Sequence, residues 1–205
     1  ALSYDDVLLV PKYSDIRSRT EVSVKTDLGN GLVLTLPIIA SPMDTISETA
    51  MAVSLGNRGG AAIIHRYNGV EMQSRMVRMA LDVANDGINI GGAVGISGDY
   101  IERAQELIEV GATFLCVDVA HGHHILMREA IESIRSSVGD SVHIMAGNVA
   151  TLEGINDLAD WGADSIRCNI GGGSICSTRV QTGHGVPGLQ TCLLYTSPSP
   201  RDRSS

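Results

Sequence analysis

The sequence predicts an α/β fold of the (β/α)8 TIM barrel class, present here as about six βα units. Short apolar runs alternate with helix-like stretches, which indicates βα units and a parallel sheet. The runs centre near Ile39, Ile63, Ile90, Cys116, Ile144 and Ile166, 22 to 28 residues apart. That even spacing favours a barrel over an open sheet. Polar or glycine residues follow each run, as expected where strands deliver an active site to one face.

The run at Ile39 leads to Met43-Asp44, and the run at Ile63 to His65-Arg66. A helix follows over 71–85, then the Ile90 run and Gly95, and a second helix over 100–110. Phe114-Leu115-Cys116-Val117 reads as a buried strand ending in Asp118, before a helix over 124–136. The Ile144 run gives Gly147-Asn148, a helix covers 152–161, and the Ile166 run ends in a glycine-rich loop, Gly171 to Arg179. Cys116 and Cys168 are assigned to the core.

Composition limits the alternatives. Hydrophobic residues make up 43% of the 205, yet there is one Phe and one Trp, so the core rests on Ile, Val, Leu, Ala and seven Met. Such residues suit parallel strands buried on both faces. A net charge of −8 argues against a nucleic-acid partner. A single nucleotide needs only local donors and stays compatible with that charge. No apolar run of about 18 residues and no signal pattern occur, so the chain is expected to be soluble and cytoplasmic, with no membrane partner. The four Cys lack metal-ligand spacing, which fits a reducing compartment.

The loop Gly171-Gly172-Gly173-Ser174-Ile175-Cys176-Ser177-Thr178-Arg179 holds a thiol on glycine-rich backbone. A thiol attacks well only when donors stabilise its thiolate. Backbone N–H groups, the Ser174 and Thr178 hydroxyls and Arg179 are available for that. The alternative on composition is a turn carrying a structural Cys.

These nine residues resemble the active-site loop of the IMP dehydrogenase and GMP reductase superfamily, which reads G-x-G-S-[IV]-C-[TS]-T-R. The resemblance extends to Leu2-Ser3-Tyr4-Asp5-Asp6-Val7-Leu8-Leu9-Val10-Pro11, Ser41-Pro42-Met43-Asp44-Thr45, Asp118-Val119-Ala120-His121-Gly122-His123 and Ala146-Gly147-Asn148-Val149-Ala150-Thr151, in the family's order. It implies that Cys176 attacks C2 of a purine nucleotide, with hydride transfer to NAD, and that Thr178 lies close to the reaction. Ser41, Met43, Asn148 and Ser174 would contact the nucleotide, Ser174 at its phosphate. Asp118 would accept hydroxyl hydrogen bonds from the nicotinamide ribose, with Arg167, Asn169 and Gly171 on the same cofactor side. The carbonyls of Gly171, Gly173 and Cys176 match positions that bind a potassium ion in many IMP dehydrogenases. Asn169 departs from the family's Gly, and Asn is the least costly replacement if φ is positive there. His121, His123 and His124 are not read as a zinc site, since no carboxylate or Cys completes them nearby in sequence.

The expected activity of the parent enzyme is oxidation of IMP to XMP with NAD, in guanine nucleotide biosynthesis. Ser41-Pro42-Met43-Asp44 favours a dehydrogenase, and Arg66 points the same way more weakly. The alternatives are a GMP reductase, converting GMP to IMP with NADPH, and a catalytically inactive barrel fragment or interaction module. Residues 66–88 leave no room for a regulatory CBS insertion, so 1–191 reads as a partial catalytic barrel. Two further βα units would be needed to close it, and without them turnover is expected to be negligible. Residues 192–205 read as a non-native or disordered tail, and the intact parent as a homotetramer.

Overall fold

The computed structural model describes residues 2, 4–173 and 175–196. After a short 3-10 turn at Tyr4–Asp6 and extended backbone, a hairpin forms from β1 (Thr26–Asp27) and β2 (Val33–Leu34), paired antiparallel. Its turn holds Gly29, Asn30 and Gly31 at φ 87°, 44° and 80°, a conformation that glycine and asparagine adopt at least cost.

Six strands then alternate with helices: β3 (Ile39–Ala40), α1 (Thr49–Gly56), β4 (Ala61–Ile64), α2 (Val70–Val83), β5 (Asn89–Val94), α3 (Tyr100–Glu109), β6 (Phe114–Asp118), α4 (Ile125–Val138), β7 (His143–Val149), α5 (Leu152–Asp160) and β8 (Ser165–Cys168). The strands form one sheet in the order β3-β4-β5-β6-β7-β8, every neighbouring pair parallel. This is the architecture of six consecutive units of a (β/α)8 barrel. Two short helices follow, α6 (Thr178–Thr182) and α7 (Gly188–Thr196). Among the described residues no helix is long and apolar enough to cross a membrane.

Strand parity divides the core in two. Ala62, Ile64, Ile90, Leu115, Val117, Ile144 and Ala146 pack with the helices, against Val77, Leu107, Met127, Ile131 and Ile134. Ala61, Ile63, Ala93, Phe114, Cys116 and Met145 face the other way and pack with Leu32 and Leu34 of the hairpin. The hairpin therefore fills the concave side at its amino end. Gly91 and Gly92 obey the same division: a Cβ on Gly91 would lie 2.4 Å from the Phe114 ring and one on Gly92 2.5 Å from Leu107. Two glycines in mid-strand are explained by that close approach.

A polar clamp fixes the base of the sheet. Asn30 donates to the carbonyls of Asp140 (2.9 Å) and Val142 (3.0 Å), and Arg135 pairs with Asp164 at 2.7 Å. Asp164 also accepts the Ile144 N–H at 2.7 Å. His143 donates from Nδ1 to the Gly29 carbonyl (2.9 Å) and meets the Ser165 hydroxyl through Nε2 (2.7 Å). Burial alone would push the Asp164 carboxyl up, but its donors, Ile144 N–H, Arg135 and Asn30, outweigh it and hold the pKa below the usual range. Burial lowers the His143 pKa.

The helices match the sequence expectation to within two residues at each end, whereas the hairpin, α1, α6 and α7 were not anticipated. The run of α7 to Thr196 enters the segment assigned to the tail. It packs on α5 and β8 with Thr191 buried. Residues 197–205 lie outside the described residues.

Candidate functional site

The β8 strand ends at Cys168, and Asn169 turns the chain with φ 110°, the condition under which Asn is the least costly replacement for the family's Gly. Its N–H donates to Val149 (2.8 Å), and its carbonyl accepts the Asn148 side-chain amide (2.9 Å). Asn148 is thereby fixed between β7 and the loop. Gly171, at φ 75°, admits the Arg179 stem, which a Cβ there would meet at 2.7 Å.

Arg179 reaches back to donate to the Gly173 carbonyl at 3.1 Å, and the Cys176 N–H donates to the same oxygen at 3.1 Å. The thiol of Cys176 is drawn below its ordinary pKa by hydrogen bonds from the Thr178 hydroxyl and then the Thr178 backbone, with the Arg179 charge adding to them against slight burial. Buried Cys116 is the counterexample: desolvation pushes its thiol up to about 12. Cys116 is core, as expected. Cys168 is half-buried and packs at the edge of the outer core, its thiol raised by burial.

A second group lies across the carboxyl ends of β3, β6 and β8. The Arg167 guanidinium pairs with the Asp118 carboxylate and reaches Ser41 Oγ at 3.3 Å and Cys116 Sγ at 3.7 Å. Arg66 donates to the Asp118 carbonyl at 3.3 Å. Its buried Nε has no partner among the described residues, nor does the buried Oδ1 of Asn169. Ser41, Asp118 and Arg167 are thus brought together, Asn148 and Asn169 form a second pair, and Gly171, Gly173, Cys176 and Thr178 share one loop. Met43 is 44% exposed at the rim. Ser174 lies outside the described residues.

Potassium fits this loop poorly as arranged. A cation at the Gly173 carbonyl would have to displace the Arg179 guanidinium, and two cations on one oxygen repel. A cavity of about 530 Å³ opens beside the loop, walled by Ala120, His121, His123, Thr178, His184 and Val186 among others. Its size is typical of ligand pockets. A second cavity of about 450 Å³ adjoins it, bordered by Tyr4, Asn169, Arg179 and Gly188.

Sequence reasoning missed two pairings. Asp157 of α5 meets His123 Nε2 at 2.7 Å, and His123 packs against Trp161 with ring centroids 6.0 Å apart. The carboxylate not found near the His cluster in sequence comes from 34 residues along the chain. His124 instead caps α4, its Nδ1 accepting the Leu126 N–H at 3.1 Å. The other pairing joins buried His65 to Glu48 (3.4 Å) and Asp44 (3.7 Å). The ligand atoms of these three lie within 4.8 Å of one another. However, His65 Nδ1 accepts the Tyr67 N–H at 3.2 Å, so Nε2 carries the hydrogen and donates to the carboxylates. A metal would need that nitrogen's lone pair, and the group reads as a clamp between β4 and the loop after β3.

Comparison with known proteins agrees with the motifs. Residues 1–197 match the family model described as "IMP dehydrogenase / GMP reductase domain". The chain is 31% identical to an inosine-5'-monophosphate dehydrogenase of Borreliella burgdorferi, over 95% of this chain and 60% of that protein. It is 33% identical to the enzyme of the same name from Cryptosporidium parvum, over 91% of this chain and 55% of that protein. Against a GMP reductase of Bacillus subtilis the identity is 32%, over 93% and 57% respectively. The chain therefore spans between half and two thirds of the length of these relatives.

Proposed function

The chain belongs to the IMP dehydrogenase / GMP reductase family, and from that premise we propose that it is the greater part of the catalytic barrel of a purine nucleotide oxidoreductase, oxidising IMP to XMP. The observation that carries the reading is Cys176: a thiol of lowered pKa, on a glycine-rich loop at the carboxyl end of a barrel strand, two residues from Thr178, which lines a cavity of about 530 Å³.

In this reading the Cys176 thiolate bonds to C2 of the purine and the C2 hydrogen departs as hydride. NAD, when bound in the cavity, supplies the hydride acceptor. Water then breaks the C2–S bond, giving XMP and restoring the thiol. Thr178 keeps the sulfur anionic before attack and stabilises it as the leaving group. Asn148, pinned by the Asn169 carbonyl, would hold the base, and Ser41, Met43 and Ser174 would hold the rest of the nucleotide, as the family resemblance implies. Arg167 pairs with the Asp118 carboxylate; these two, with Asn169 and Gly171, which border the second cavity, are the residues the resemblance puts toward the cofactor. No step runs through potassium. A homotetramer remains the proposed assembly of the parent.

A second reading, GMP reductase, is kept because the chain is as similar to the B. subtilis reductase, at 32% identity, as to the B. burgdorferi dehydrogenase, at 31%. The same Cys176 and nucleotide contacts serve either direction. The test runs both assays on the purified chain: IMP with NAD⁺, read as NADH appearance, and GMP with NADPH, read as its loss. Turnover of the partial barrel itself is expected to be negligible; turnover with IMP that disappears in Cys176→Ala would establish the dehydrogenase and overturn that expectation. Turnover only with GMP would select the reductase. Failure of IMP or GMP to protect Cys176 from iodoacetamide would sink both.

A further inference from the structure

The wall of the larger cavity carries a feature that the proposed chemistry does not use. His123 lines it, with Nε2 held by the Asp157 carboxylate at 2.7 Å. Gly154 lets α5 approach, since a Cβ there would stand 3.3 Å from the His123 side chain. Trp161 backs the ring. Three residues of α5 and its cap thus fix an imidazole whose side chain is still 28% exposed. Because Asp157 takes the Nε2 hydrogen, Nδ1 is the nitrogen left for a ligand, and the described residues give it no partner. In that tautomer Nδ1 is an acceptor.

The rest of the wall defines what it accepts from. No Lys or Arg lines the cavity, which combines Val149, Ile170 and Val186 with the hydroxyls of Thr178 and Thr182. Such a lining favours an uncharged, hydroxyl-bearing ring over a phosphate, which would lack a permanent cation. The residue expected to read sugar hydroxyls, Asp118, pairs with Arg167 and is not among the residues lining this cavity.

We propose that His123, positioned by Asp157, is a specificity-determining residue that accepts a hydrogen bond from a ribose hydroxyl of the nicotinamide cofactor. The proposal rests on the reading of this cavity as the cofactor site. It assigns binding to His123 and positioning to Asp157, whose carboxylate orients the ring without touching the ligand.

Trp161, the one tryptophan of the sequence, supplies the readout. Titration of the chain with NAD⁺ is expected to change Trp161 fluorescence saturably. His123→Ala should raise the midpoint about tenfold, the worth of one well-made hydrogen bond. His123→Leu, which keeps bulk against Trp161, should do the same if the alanine variant folds poorly. His123→Gln keeps an acceptor and should return the midpoint to within about threefold of wild type, a rescue that a packing role would not produce. Asp157→Ala should fall between. An unchanged midpoint in both His123→Ala and His123→Leu overturns the proposal while leaving the cofactor site standing. The absence of any saturable response to millimolar NAD⁺ in the wild-type chain overturns the cofactor reading and this proposal with it.

Discussion

At the amino ends of β7 and β8, the side chains of Asn30, Arg135, His143 and Asp164 all find partners, most of them at 2.7 to 3.0 Å. At the carboxyl ends of the same sheet, buried Arg66 Nε and Asn169 Oδ1 have none among the described residues, and Arg66 donates to one carbonyl at 3.3 Å. Each unmet buried polar atom costs about 1–3 kcal/mol. The amino end is the better-satisfied of the two, in line with the division of barrels into a stabilising amino face and a functional carboxyl face, and under the proposed function the unmet groups at the carboxyl end would meet a ligand.

The largest expected effect lies at the amino end. Asp164→Ala removes the partner of Arg135, of the Ile144 N–H and of Asn30 together, and should cost about 3 kcal/mol in urea unfolding. The pH dependence follows from the lowered folded pKa. The contribution is fully present above the ordinary carboxylate pKa near 4 and is lost as pH falls through the lower folded value. Asp164→Asn should flatten that acid limb of the stability profile. A profile unchanged by the substitution would show that the clamp is not what stabilises the base.

Arg66→Met, at the other end, should move unfolding free energy by no more than about 0.5 kcal/mol, because it deletes an unmet donor along with one long hydrogen bond. It should nonetheless weaken nucleotide binding. If Arg66→Met costs as much as Asp164→Ala, the contrast between the two ends is broken.

How far each end could be read from sequence differs in the same way. The six strands were legible because buried parallel strands are continuous apolar runs, and Cys176 because its neighbours are contiguous. The positive φ at Asn169 could be anticipated from one residue standing where glycine is usual. Neither the Asp164–Arg135 pair nor Asp118–Arg167 leaves a local trace, since the partners come from different βα units. The hairpin had a signal, Gly29-Asn30-Gly31, but its strands of two residues each are too short to show periodicity. Helix α1 was missed for another reason: its eight residues are nearly all apolar or small, so no face stands out.

The smallest effect tests the chemistry of the carboxyl end. Iodoacetamide should modify Cys176 with a rate–pH inflection below that of an ordinary thiol, and should spare Cys116, whose thiol burial pushes to about 12. Thr178→Val removes the hydroxyl that contributes most to the lowering, so the inflection should move up. The rate near neutral pH should nevertheless fall only about threefold for each unit moved. The thiolate fraction drops, but each thiolate becomes more nucleophilic, with a Brønsted coefficient of about 0.4–0.5. A curve that stays in place would transfer the lowering to Arg179, whose charge Arg179→Gln would then remove. A curve that moves while the limiting rate at high pH rises would fix the role of Thr178: it holds the sulfur ionised at neutral pH, and some intrinsic reactivity is lost in exchange.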